Sequence, residues 1–90
     1  MDNLTTMQIG LASEYKVAAD LMLRGFHVFL AANPQSTCDL VALKDQQVYR
    51  VEVKTARRKG NILSYNAGIV GRYDILALVL PDEIIYQPPL

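Results

Sequence analysis

The 90-residue sequence predicts a single α+β domain spanning residues 1–90, with one N-terminal helix packed on a mixed sheet of about five strands. Apolar residues recur at helical spacing near the N-terminus, at Leu11, Ala12, Tyr15, Ala18, Ala19, Met22 and Leu23. Beyond Gly25 they fall into short runs separated by turn residues, which is the pattern of strands. One run, Asp74-Ile75-Leu76-Ala77-Leu78-Val79-Leu80, is almost wholly apolar, as expected of a central strand covered on both faces.

After a short lead-in, a helix is predicted from Ile9 to Gly25, the glycine ending it after the last turn. On a wheel of about 100° per residue, Ser13, Lys16, Asp20 and Arg24 share one narrow arc, the expected solvent face. Glu14 falls instead between Leu21 and Ala18, inside the apolar arc. A carboxylate there needs a partner, a metal or a cleft, unless it snorkels out to water or meets a lysine. A strand follows over Phe26–Ala31, then a loop from Ala32 to Thr37 with Asn33-Pro34 as its turn signal. Leu40–Leu43 and Val48–Thr55 are strands on either side of the polar turn Lys44-Asp45-Gln46-Gln47. A hairpin joining them would set Asp39 near Glu52 and Lys54. The basic run Arg57-Arg58-Lys59-Gly60 comes next. Asn61–Arg72, which holds Gly68 and Gly71, is expected to be a loop with at most one short element. Pro81-Asp82 is a turn, Glu83–Gln87 the last strand, and Pro88-Pro89 ends it.

Composition narrows the function classes. A hydrophobic fraction of 51% with 20% charged residues fits a globular chain, and no apolar run approaches the roughly 20 residues that span a bilayer. Met1-Asp2-Asn3 is acidic and polar, unlike a basic secretory leader. The single cysteine, Cys38, has no partner for an internal disulfide, which suits a reducing compartment, so a cytoplasmic, non-membrane protein is expected. Nine basic and nine acidic residues balance, which argues mildly against a dedicated nucleic-acid-binding module. That balance leaves room for a nuclease, whose site must be acidic to hold metal.

Arg50, Glu52 and Lys54 alternate with Val51 and Val53 and so share one face of their strand. Alone, Glu52 and Lys54 read as an ion pair on an exposed strand, worth well under about 1 kcal/mol. Together with Glu14 and Asp39 they form an ordered set that resembles the PD-(D/E)XK nuclease superfamily. The likeness is to small endonucleases of the archaeal Holliday-junction-resolvase type and to group I intron homing endonucleases. It runs through Gly10-Leu-Ala-Ser-Glu14, Leu23-Arg-Gly-Phe-His-Val28, Cys38-Asp-Leu-Val41, Val51-Glu-Val-Lys-Thr55 and Tyr73-Asp-Ile-Leu-Ala-Leu-Val79. It therefore covers most of the chain in the family's order, and it implies a restriction-endonuclease-like sheet. By this resemblance Glu14 is the helix glutamate, Asp39 the metal aspartate, and Glu52 with Lys54 the E-x-K pair. Cys38 stands where the family's proline often precedes the aspartate, a proline many members lack.

The residue chemistry fits phosphodiester hydrolysis. Hard oxygen donors suit Mg²⁺, with Mn²⁺ as substitute, and one or two carboxylates suffice to bind it. Asp39 and Glu52 would hold the ion with the Val53 carbonyl, and Glu14 would act through water or on a second ion. Lys54 would orient or deprotonate the attacking water, or neutralise the phosphate. Arg57, Arg58 and Lys59 read first as a solvated loop, but their position beside Lys54 also suits DNA phosphate contacts, and Arg72 could add to them. Because 90 residues give a small grip on a duplex, a homodimer or higher oligomer is expected. His27 reads as a core or edge residue, Cys38 as a small packed one and Asp74 as a turn or cap, while Ser13 and Ser36 lack a visible base. Two other readings stay open: a non-catalytic nucleic-acid-binding or assembly protein of the same fold, and a partner-binding domain with incidental acidic residues.

Overall fold

The computed structural model describes residues 4–33, 36, 38–66 and 72–90. Met1-Asp2-Asn3, Pro34 of the expected Asn33-Pro34 turn, and Gly68 and Gly71 lie outside the described residues. Among the described residues one helix, α1 (Thr6–Leu23), precedes seven strands: β1 (His27–Leu30), β2 (Leu40–Lys44), β3 (Gln47–Thr55), β4 (Arg57–Lys59), β5 (Ile62–Ser64), β6 (Ile75–Val79) and β7 (Ile84–Gln87).

The helix begins one turn earlier than its apolar periodicity suggests. Thr5 caps it: the Gln8 N–H donates to Thr5 Oγ1 at 3.1 Å, and Gln8 Oε1 accepts from the Thr5 N–H at 2.8 Å. At the other end Gly25 has φ +92°, its N–H donates to the Met22 carbonyl, and the Phe26 N–H donates to the Leu21 carbonyl. This left-handed closure satisfies the last carbonyls and turns the chain into β1.

Five strands form one mixed sheet in the order β1-β2-β3-β6-β7, in which only β3 and β6 run parallel. One face packs against α1, where Val17, Ala18 and Leu21 meet Leu40, Ala42, Val51, Val53, Ile75, Ala77, Val79 and Tyr86. On the other face Leu76 and Leu78 join Ala56 and Leu80, with Leu63, Tyr65, Tyr73 and Ile85 packed against them. All five residues of β6 are buried, so it is the doubly covered central strand its composition predicts. Tyr86 is held at the end of the helix, its hydroxyl donating to Asp20 Oδ2 at 2.6 Å while Arg24 stacks over its ring.

Two expectations are corrected. The arc through Ser13 and Asp20 is not the solvent face: Ser13 is only 4% exposed and Asp20 is half-buried. Water instead meets Leu11, Tyr15, Met22 and Leu23. The apolar arc is wider than the sheet can cover, and Val17, Ala18 and Leu21 choose which part is buried. The basic run, expected to be a loop, is strand β4, paired with β5 through a turn at Gly60, whose φ is +63°. The sheet covers β4–β5 on one side, because Leu63 and Tyr65 roof the second apolar cluster. No helix among the described residues is long and apolar enough to cross a membrane.

Candidate active site

The site is built by the β2–β3 hairpin. Asp45 and Gln46 both take positive φ, 52° and 66°, as a two-residue turn matched to strand twist requires. That turn sets Lys44 opposite Gln47 and, four steps on, Leu40 opposite Val51. The ladder ends at that pair, and Asp39 comes next on the β2 side, near Glu52. Here β2 stops, and Asp39 replaces it: its N–H donates to the Val51 carbonyl at 3.1 Å and its Oδ2 accepts the Val53 N–H at 2.8 Å. Beyond Val51, β3 pairs only with β6, through Val51–Ile75 to Thr55–Val79. Glu52 to Thr55 therefore border an opening left by β2.

The N-terminal half of α1 lies beside Val53, Lys54 and Thr55, and neither Asp39 nor Glu52 lines the cleft between them. A cleft of about 420 Å³ is lined by Thr6, Ile9, Gly10 and Glu14 of the helix, Val53, Lys54 and Thr55 of β3, and Arg57 and Asn66. Ser13 and Thr55 hydroxyls share a hydrogen bond at 2.8 Å between the helix and β3. Glu14 thus lies on the sheet side of the helix, within reach of the charge of Asp39.

Burial and neighbouring carboxylate charge raise the proton affinity of Glu14 and Glu52. Glu14 is pushed above the ordinary glutamate value by burial and then by the Asp39 charge. Glu52 is pushed up to about 7, first by burial, then by hydrogen bonding to Asp39 and by its charge. Lys54 pulls Glu52 down and Glu14 pushes it further up. None of the ion pairs among the described residues joins Glu52 to Lys54, so the simple exposed pair is not what stands here.

The rest of the predicted set divides by strand alternation. Arg57 lines the cleft, and with Lys59 it also lines a hollow formed by Thr55, Ser64, Tyr65 and Asn66. Arg58 points away and forms an ion pair with Glu83. Arg72 is exposed ahead of β6 and does not line the cleft. Arg50, on the face of Glu52, is engaged elsewhere: its Nε and Nη2 donate to Asp74 at 3.2 and 3.0 Å, and its N–H to Asp74 Oδ2 at 2.7 Å. Cys38 is half-buried, and burial and the Asp39 and Glu52 charges push its thiol up, so it is no nucleophile. His27 is exposed on the edge strand β1.

Sequence reasoning missed Ser13 and Thr55, although each adjoins a predicted site residue. It also gave no sign of a second cavity, about 450 Å³, lined in part by Arg24, Phe26, Lys44 and Tyr49. That cavity is marginally larger than the cleft but holds no comparable chemistry. Lys44 Nζ already donates to the Arg24 carbonyl at 2.8 Å and sits over the Phe26 ring.

Among the described residues no three His, Cys, Asp or Glu side chains converge as a metal-holding group. Asp39 and Glu52 alone are adjacent, with Glu14 contributing charge from farther off. Two crowded, partly desolvated carboxylates are hard oxygen donors with excess negative charge, so a divalent cation fits them.

Known proteins resemble the chain in sequence and in fold. Protein 5.3 of Escherichia phage T7 is 33% identical over 87 residues, covering 84% of this chain and 74% of the phage protein. A bacterial homing endonuclease superposes with a TM-score of 0.75 at 12% identity, over 92% of this chain and 68% of its own. That likeness concerns the fold. Residues 4–74 match the PD-(D/E)XK endonuclease family, a span that takes in the helix glutamate, the hairpin and the E-x-K strand. The chain belongs to the PD-(D/E)XK endonuclease family.

Proposed function

We propose that the protein is a divalent-metal-dependent endonuclease that hydrolyses phosphodiester bonds of DNA, on branched or specific duplex substrates. One observation carries the reading: where β2 ends, Asp39 accepts the Val53 N–H and lies against Glu52 at the free margin of β3, beside Lys54. An arrangement that disfavours its own charges is relieved by a cation. Asp39, Glu52 and the Val53 carbonyl would hold Mg²⁺ or Mn²⁺. When bound, such an ion supplies Lewis-acid charge and an acidified water.

The chain's own groups do the remaining work. Lys54 follows the metal pair on the same strand face, so its ammonium can hydrogen-bond the attacking water or a non-bridging phosphate oxygen. Glu14 adds negative charge that keeps the cluster selective for cations. Arg57 and Lys59, on one side of β4, receive flanking phosphates. Arg58 is tied to Glu83 and is a weaker candidate. Arg72 is a peripheral contact. The reading includes a homodimer or higher oligomer, since two copies would present two sites to two strands.

A panel of branched, duplex and single-stranded DNA with Mg²⁺ or Mn²⁺ tests the proposal. The unmodified protein should cut at least one substrate, and Asp39→Asn should cut none. Absence of cleavage across the whole panel would overturn the nuclease reading in favour of a binding module.

A further inference from the structure

We infer that Ser13 and Thr55 are positioning residues, whose shared hydrogen bond fixes the register of α1 against β3 and so holds Glu14 at the cleft beside Lys54. The inference rests on the nuclease reading of that cleft. Ser13 immediately precedes Glu14, and Thr55 immediately follows Lys54. Their hydroxyls meet at 2.8 Å, although 42 residues separate them in sequence. Ser13 is 4% exposed and is the one buried polar residue among the described residues. The rest of the buried helix face is Val17, Ala18 and Leu21.

An alanine at position 13 would complete that apolar face and favour the helix more. The hydroxyl therefore does something that packing does not. Apolar contacts are non-directional, and Val17, Ala18 and Leu21 tolerate small slides of the helix along the sheet. A hydrogen bond between two short side chains tolerates little displacement. Each helical residue advances about 1.5 Å and turns about 100°, so a slide of one residue would swing Glu14 off the sheet side. Even about 1 Å of misplacement can cost roughly 100-fold in rate. Ser13–Thr55 is the side-chain hydrogen bond that joins helix to strand at this end, while Tyr86–Asp20 does so at the other.

Thr55 is exposed and its replacement disturbs packing little, so Thr55→Val and Thr55→Ser form the test pair. Valine keeps the β-branched shape and loses the hydroxyl, whereas serine keeps the hydroxyl. Mn²⁺ affinity by calorimetry and single-turnover cleavage are measured together with the melting temperature. Thr55→Val should lose about 10- to 100-fold in Mn²⁺ affinity or cleavage rate, the usual cost of removing a residue that orients a metal-site group. Thr55→Ser should match the unmodified protein. Ser13→Ala should reproduce Thr55→Val, and the double variant should lose no more than either single one.

A merely structural pair predicts otherwise. Leu21→Val, which loosens the same helix face, would then reduce activity as much as Thr55→Val at equal melting temperature. That result, or a Thr55→Val protein equal to the unmodified one in both measurements, would overturn the inference while leaving the nuclease reading intact. An unmodified protein that neither cuts DNA nor binds Mn²⁺ would remove the nuclease reading, and this inference with it. If it binds Mn²⁺ without cutting, the affinity comparison still decides the role of the pair.

Discussion

Arg50 and Glu52 stand two residues apart on the same face of β3, yet their ends of the strand behave in opposite ways. At the Arg50 end opposite charges meet. Three donor groups of Arg50 bind Asp74, the Asp74 N–H returns a bond to the Arg50 carbonyl, and Asp74 is held below the ordinary aspartate value. The bond to Arg50 is the main cause, and the result joins β3 to the start of β6. At the Glu52 end like charges meet. Asp39 and Glu52 crowd together, Glu14 adds negative charge from farther off, and Glu52 is raised to about 7. The same residue types thus make a closed structural joint in one place and an open demand for positive charge in the other. Satisfaction of charge, rather than its presence, separates the two.

Breaking the comparison at its functional end should have the largest effect. Lys54→Ala should retain Mn²⁺ binding and most DNA binding, yet lose about 10²- to 10⁴-fold in single-turnover cleavage, the usual contribution of a general acid–base group. Arginine should rescue poorly, since its planar fork is larger and keeps its proton. At the other end, Asp74→Asn should lower the melting temperature and leave the cleavage rate unchanged. Cleavage by Lys54→Ala at the unmodified rate would erase the distinction drawn between the ends.

The flanking cations come next. Arg57→Ala with Lys59→Ala should reduce the slope of log affinity against log salt by about 1.8, at roughly 0.9 per phosphate contact. Arg58→Ala should change it less, because its guanidinium is paired with Glu83. Equal slopes for the two proteins would return the whole run to a solvated surface.

Smaller effects concern stability and pH. Folded Glu52 keeps its proton up to about pH 7, whereas in the unfolded chain it releases near 4.5. Between those values the native state binds more protons, so stability without metal falls as pH rises through this window and levels off above it. Glu14 shifts in the same direction. Asp74 shifts oppositely: its contribution is present above the ordinary value of 3.8 and is lost on acidification. Glu52→Gln should therefore stabilise the metal-free protein at pH 7.5, by about 1 kcal/mol after solvent screening, and flatten the neutral part of the profile. Chemical denaturation between pH 4 and 8 measures both. A metal-free stability that rises toward pH 7 would contradict the crowding at Glu52.

Much of this arrangement was legible in the sequence, because the features concerned are local. The polar turn at Asp45-Gln46 fixes the hairpin register by its length, and that register brings Asp39, just past Leu40–Val51, beside Glu52. Glu14 stood out because a charge interrupts an apolar arc. Other features were not local. Which part of a wide apolar arc a sheet will cover depends on the sheet, so the helical wheel puts Ser13 toward water although it faces Thr55. The β4–β5 hairpin carried a signal, the Gly60-Asn61 turn, but three consecutive cations hid the strand alternation that divides Arg57 and Lys59 from Arg58. The helix start was present as the Thr5-x-x-Gln8 box, outweighed by the later onset of apolar periodicity.

A Mn²⁺ titration of metal-free protein, followed by calorimetry at pH 6 and pH 8, tests most directly the claim that the Glu52 end is built for a cation. The unmodified protein and Asp74→Asn should bind Mn²⁺ alike, more tightly at pH 8 than at pH 6 because binding must displace the Glu52 proton. Asp39→Asn and Glu52→Gln should both lose binding. Equal affinity in Glu52→Gln and the unmodified protein, or an affinity indifferent to pH across that range, would contradict the account.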